Sequence, residues 1–119
     1  MDRKELQDRT KKFHVEVIKL CENFPRNAAG FETAKQLIRA AGSVGANYRA
    51  SARAKSPNDF LYKIEVVLEE SDESLYWLEV VRDANLQGSQ ELNQLIKEAN
   101  ELTAIFVATD KTNKANIKK

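Results

Sequence analysis

The chain has 119 residues, a mass of 13.5 kDa, 42% hydrophobic and 31% charged residues, and a net charge of +1. That is enough material for one hydrophobic core in one domain, and too apolar for a disordered chain. Four Gly and two Pro leave too little turn chemistry for a β-sandwich or barrel, one Cys excludes an internal disulfide framework, and one His excludes His-rich metal sites. No run approaches the ~18 consecutive apolar residues of a membrane helix, and none follows Met1-Asp2-Arg3-Lys4-Glu5 as a secretory leader requires. The expected location is the reduced cytoplasm, away from membranes, with no cofactor and no metal.

The first helix is expected over Arg3–Phe24, where Leu6, Thr10, Phe13, Val17, Leu20 and Phe24 form one seam at alternating spacings of four and three. Pro25 is expected to end it. After a short connection, Pro25–Gly30, a second helix is expected over Phe31–Ala54. Thr33 and Gln36 match a capping box near its start. Its seam is Ala34, Leu37, Ile38, Ala41, Val44, Gly45, Tyr48 and Ala52. Gly42 and Gly45 each cost about 1 kcal/mol of helix propensity relative to Ala, so a neighbouring helix is expected to approach closely there.

Ser56-Pro57-Asn58-Asp59 reads as a new start, with Ser56 as N-cap, Pro57 in the first helical position and Asp59 complementing the helix dipole. The third helix is expected to run to about Leu86, with Phe60, Ile64, Val67, Ser71, Ser74, Leu78, Val81 and Asn85 as its seam. Gly88 is expected to stop it and Ser89 to cap the fourth helix, Gln90–Ala108, whose seam is Leu92, Leu95, Ile96, Ala99, Leu102 and Phe106. Residues 109–119, with four lysines, are expected to form a mobile basic tail to a domain over residues 1–108. Four seamed helices with short connections predict an all-α, up-down-up-down four-helix bundle.

Val15, Ile18, Tyr62, Val66, Tyr76, Trp77 and Val80 fall off these seams. An apolar excess on the first and third helices predicts a homo-oligomer, with Tyr62, Val66, Tyr76, Trp77 and Val80 as interface candidates. Charge is segregated too. From Arg26 to Lys55 six basic residues face Glu32 alone, whereas from Asp59 to Asp83 eight acids face Lys63 and Arg82. Lys35, Arg39, Arg49 and Arg53 fall on one helical line, with Lys55 just beyond. Two readings stay open at this point. The line binds nucleic-acid phosphates, or it pairs with the acidic third helix in a structural or protein-interaction module.

No catalytic constellation can be assembled. His14 is the only histidine, Cys21 reads as a small core residue, no Glu-x-x-His pair marks a di-iron site, and no P-loop, GxGxxG, HExxH or GxSxG occurs. A non-enzymatic protein is expected.

The run Gln36-Leu37-Ile38-Arg39-Ala40-Ala41-Gly42-Ser43-Val44-Gly45-Ala46-Asn47-Tyr48, with Arg53, Phe60, Glu69-Glu70-Ser71-Asp72-Glu73-Ser74 and Trp77-Leu78, resembles the bacterial 23S rRNA intervening-sequence proteins over about residues 5–108. The family pattern is roughly Q-[LI]-x-R-A-A-x-S-[IV]-x-A-N-[IY]. Many members have an acidic residue and a glycine soon after the Asn, where this chain has Arg49-Ala50-Ser51-Ala52. The resemblance implies a small cytoplasmic four-helix bundle, some of whose relatives are encoded within large-subunit rRNA genes. The similar accessory proteins of diversity-generating retroelements imply a homopentamer that binds RNA or DNA and a reverse transcriptase.

Overall fold

Each helix starts beside a side-chain oxygen that satisfies a free N–H of its first turn. In the computed structural model, which describes residues 1–118, α1 (Arg3–Cys21) begins after Asp2, whose carboxylate accepts from the Glu5 N–H at 2.8 Å. α2 (Ala28–Ser51) begins after Asn27, whose Oδ1 accepts from the Gly30 N–H at 2.9 Å. At the start of α3 (Pro57–Asp83), Ser56 Oγ accepts from the Asp59 N–H at 3.0 Å and Asp59 accepts from the Lys55 N–H at 2.9 Å. That backbone donor, followed by the Lys63 ammonium, holds the Asp59 carboxyl below the usual carboxylate range. α4 (Gln90–Lys118) begins after Ser89, whose Oγ accepts from the Leu92 N–H at 3.3 Å.

Several boundaries differ from the sequence expectation, each for a local reason. α1 ends at Cys21 rather than Phe24, because tighter turns close it: the Asn23 N–H donates to Leu20 and the Phe24 N–H to Cys21. The Thr33–Gln36 capping box does not form. Asn27 is the better cap, Thr33 is buried in the helix, and Gln36 donates instead to Glu32 at 3.0 Å. Gly30 therefore lies inside the first turn of α2, where an added Cβ would sit 2.0 Å from the Pro25 carbonyl oxygen. The chain between α1 and α2 folds back onto the helix start at a position only glycine leaves open.

α2 ends at Ser51 rather than Ala54, so Arg53 and Lys55 lie in the following connection. α3 ends at Asp83 rather than Leu86, and its stop is Asn85, not Gly88. Asn85 has φ of 56°, its N–H donates to the Arg82 carbonyl at 3.1 Å, and the Leu86 N–H donates to Val81 at 3.0 Å. This pairing satisfies the last carbonyls of α3, and asparagine tolerates the left-handed conformation. α4 does not stop at Ala108. Thr109 and Asn113 donate to carbonyls four residues back, and Lys114 reaches Glu65 of α3 at 3.2 Å and Asp110 at 3.0 Å. Residues 109–118 thus continue the helix instead of forming a separate tail, and Lys119 lies outside the described residues.

The core is the seam the periodicity marks. Phe13 and Val17 of α1, Leu37 and Val44 of α2, Ile64 and Leu78 of α3, and Leu102 and Phe106 of α4 are all buried. Consecutive helices pack, α1 also meets α4, and the diagonal pairs do not approach, which is the expected up-down-up-down bundle, 51 × 22 × 20 Å. In α2 the buried positions are Gly30, Thr33, Leu37, Ala40, Ala41, Val44, Tyr48 and Ser51. Ala34, Ile38 and Gly45 are only half-buried, and Ala52 is exposed.

Most polar groups inside the bundle are bonded, the exception among the described residues being Asp110, whose Oδ1 is buried without a partner while its Oδ2 meets Lys114. Ser71 and Thr103 meet across α3 and α4 at 2.8 Å, and Thr103 also donates to the Ala99 carbonyl at 2.7 Å in one hydroxyl orientation. Arg9 of α1 grips Glu98 of α4 with two bonds of 2.7 and 2.6 Å. At the bundle end, the Arg3 guanidinium lies 5.2 Å from the Tyr48 ring centroid and 5.8 Å from that of Phe60, a cation–π cover. Burial pushes the Cys21 thiol up to about 12, so it stays protonated and unreactive near neutrality.

Gly30→Ala is expected to destabilise the bundle by about 1–3 kcal/mol, because the new methyl group has to displace the Pro25 backbone. An unchanged urea midpoint would show that the connection yields without cost.

Candidate nucleic-acid interface

α2 lies between α1 and α3, so it has an inward face, two flanks and one outer face. Between Thr33 and Lys55 the sequence carries five basic residues and no acid, so any carboxylate partner has to come from another element. Among the described residues only Arg39 obtains one. Its Nη2 lies 2.6 Å from Glu73 and its Nη1 3.3 Å from Glu70, both on α3.

The two carboxylates respond differently. The Arg39 hydrogen bond holds Glu73 below the usual carboxylate range, whereas burial outweighs the same guanidinium at Glu70 and raises it. Arg39 is itself raised, chiefly by its bond to Glu73. The guanidinium is 48% exposed, so the pairing contributes about 0–1 kcal/mol. Arg39 is thus the position of the basic line that pairs with the acidic third helix.

Lys35, Arg49, Arg53 and Lys55 are exposed, and among the described residues none has a carboxylate within 4.0 Å. Lys35 and Arg49 lie on α2 about 21 Å apart by helical rise. Arg53 and Lys55 extend the line into the α2–α3 connection. Of the tail lysines, Lys111 and Lys118 are exposed on α4, while Lys114 is tied to Glu65 and Asp110.

On the α1 flank, the close approach expected at the small segment is made by α1 of the same chain. The His14 imidazole lies against Gly42, 3.0 Å from where a Cβ would stand, and Gly45 faces the Thr10 carbonyl. A groove of about 460 Å³ follows this seam, with Lys11 and His14 on one wall and Gly42, Gly45 and Arg49 on the other. The Lys4–Asp8 pair, 2.9 Å, also lines it. Lys11 and His14 were not among the residues picked from sequence. Their signal was the seven-residue repeats Lys4–Lys11 and Gln7–His14, which place them on one side of α1. A second cleft, about 550 Å³ between α1 and α4, carries Glu16 and Glu91 against Lys19 alone and is a poorer place for an anion.

The apolar excess on α3 is divided. Tyr62 and Tyr76 are 65% and 56% exposed, with Val66 and Val80 half-buried on the same line. Trp77 packs against the edge of the core, and its indole meets Tyr76 edge-on at 5.1 Å. Val15 and Ile18 are exposed on α1. Phe31 and Val107 are exposed as well, though neither was singled out by its spacing. Among the described residues no group of three or more His, Cys, Asp or Glu side chains is placed to hold a metal ion, and no helix is long and apolar enough to cross a membrane.

Arg39→Gln is expected to lower stability at neutral pH and not in acid. The pair's contribution is complete above the ordinary glutamate range and is lost as pH falls through the depressed Glu73 value. Losing Arg39 also removes compensation at the buried Glu70, which acts in the same direction near neutrality. Urea midpoints of the variant and parent should differ at about pH 7 and converge at about pH 3. An equal difference at both would contradict the assignment.

A protein of unknown function from the S23 ribosomal protein family of Bacteroides thetaiotaomicron has a similar solved structure. It aligns with a TM-score of 0.83 at 25% identity, over 93% of this chain and 99% of that one. Among curated proteins there is no match. The family model described as 23S rRNA-intervening sequence protein matches residues 3–108, and the chain belongs to that family.

Proposed function

We propose that this protein is a non-enzymatic homo-oligomer that binds nucleic acid, RNA foremost, through the phosphate backbone. The binding cations are Lys35, Arg49, Arg53 and Lys55. The observation that carries this reading is their common lack of an acidic partner among the described residues, on a helix with no acid after Glu32. Exposed cations on a rigid helix meet phosphates at little ordering cost and read no bases, so binding depends on salt far more than on sequence. Arg39 drops out of the binding set because α3 holds it. RNA is put ahead of DNA on the family description alone, which names an insertion in an rRNA gene.

One subunit offers only a handful of phosphate contacts, too few for tight binding at physiological salt. Assembly repeats the set and multiplies its avidity. The exposed Tyr62 and Tyr76, with Val66 and Val80 beside them, support self-association through α3. A pentamer is the state the family resemblance implies. In sedimentation at micromolar concentration the parent should be oligomeric and Tyr62→Ser/Tyr76→Ser should dissociate. A monomeric parent would contradict assembly.

The binding test compares structured RNA and duplex DNA between about 50 and 200 mM salt. The parent should bind both with a steep loss as salt rises. Lys35→Gln/Arg53→Gln/Lys55→Gln should bind weakly, and Arg39→Gln should bind as the parent does. No salt-dependent binding by the parent, or full affinity in the triple variant, would leave the structural module as the better account.

A further inference from the structure

Gly45 is not required by the packing around it. An added Cβ would stand 3.5 Å from the Thr10 carbonyl oxygen and 3.7 Å from the Lys11 nitrogen, which is ordinary van der Waals contact. Gly30 shows the opposite case, with its clash at 2.0 Å. Glycine weakens a helix interior relative to alanine, yet α2 keeps it at a site where the bundle has room for a methyl group. The space left empty is the floor of the α1/α2 groove.

The charges above that floor are also left over. Along α1 the neighbouring cations take acids where they reach them: Lys4 holds Asp8, Arg9 holds Glu98 and Lys12 approaches Glu16. Lys11 and Arg49, on opposite walls of the groove, have no such partner among the described residues. Asp8, the one carboxylate lining the groove, is committed to Lys4. His14 has no hydrogen-bond partner among the described residues and stands against Gly42 at the end of the groove.

We infer that the α1/α2 groove seats one phosphate group of a bound strand between Lys11 and Arg49, and that Gly45 is the residue that lets it in. This rests on the nucleic-acid reading and adds to it a particular seat. The line Lys35–Lys55 supplies a diffuse field, whereas the groove fixes one phosphate against a floor that carries no side chain at Gly45 and only a methyl group at Ala46. A phosphate is the matching chemistry because its oxygens accept from a guanidinium and an ammonium together, with no hydrophobic surface needed.

The experiment measures binding of a short, mixed-sequence, fluorescently labelled single-stranded RNA to the parent and to Gly45→Ala, Lys11→Gln and Lys35→Gln/Arg53→Gln/Lys55→Gln. Thermal melts of each protein are recorded alongside. Gly45→Ala should melt at or above the parent temperature and bind about tenfold more weakly. Lys11→Gln should flatten the log-affinity against log-salt slope by about 0.7, one lost single-strand contact.

If the parent binds RNA and the triple variant is weakened, but Gly45→Ala or Lys11→Gln binds as the parent does, the groove is overturned and the wider nucleic-acid reading stands. A clear fall in melting temperature for Gly45→Ala would show that packing needed the glycine, and would overturn the premise. If the parent binds no RNA, the nucleic-acid reading fails. The seat is then decided by titrating inorganic phosphate and following backbone amide shifts. Shifts confined to Lys11, Gly42, Gly45 and Arg49 would assign it to a free phosphate group, and no shift there would overturn it.

Discussion

Everything in this bundle is arranged around the way α2 divides its surface. Its inward face is given to Leu37, Ala40, Ala41, Val44 and Tyr48, all buried, which sets the spacing to the two helices packed beside it, α1 and α3. One flank is tied to α3 by Arg39 and its two glutamates, and the other meets α1 through glycines. Of the remaining cations, Lys35 lies on the exposed side of α2, Arg49 at the α1/α2 groove, and Arg53 and Lys55 in the connection after Ser51. Their exposure is a consequence of helix packing, and it is what makes them available to a partner.

Charge segregation in the sequence therefore has two outcomes in one helix. A basic helix beside an acidic one should neutralise it, and at Arg39 it does, because that position points along the α2–α3 seam. Lys35, Arg49, Arg53 and Lys55 sit at other angles or beyond the helix end, and the acids of α3 do not reach them. Exposed ion pairs add little stability, so the bundle loses little by leaving these four without a partner among the described residues. Stability rests on the aliphatic and aromatic core instead.

The sequence made the architecture legible because its seams run at helical spacing for many turns, and a core of that kind has few alternatives. Boundaries were less legible. Asn27 and Asn85 cap and stop helices through local geometry that competing candidates, Thr33 and Gly88, also offer on paper. The continuation of α4 past Ala108 was hidden because residues 109–118 are mostly polar. Their helix is held by Lys114 reaching Glu65 on α3, a contact no local pattern announces.

The charge segregation was legible, but the partition of the basic line was not, since only the packed structure shows that Arg39 faces α3 and that Arg53 and Lys55 lie beyond the end of α2. Lys11 and His14 were missed for a similar reason. A polar residue flanking a core seam looks like ordinary solvated surface until the facing helix turns out to carry Gly42 and Gly45 there.

The most direct test of the central claim, that the α1/α2 face and not the acidic side of the bundle meets nucleic acid, is lysine-reactivity footprinting by mass spectrometry with and without RNA. Lys11, Lys35 and Lys55 should become protected while Lys97 on α4 keeps its reactivity. Unchanged reactivity at all three, or protection centred on Lys97 and Lys111, would contradict the account.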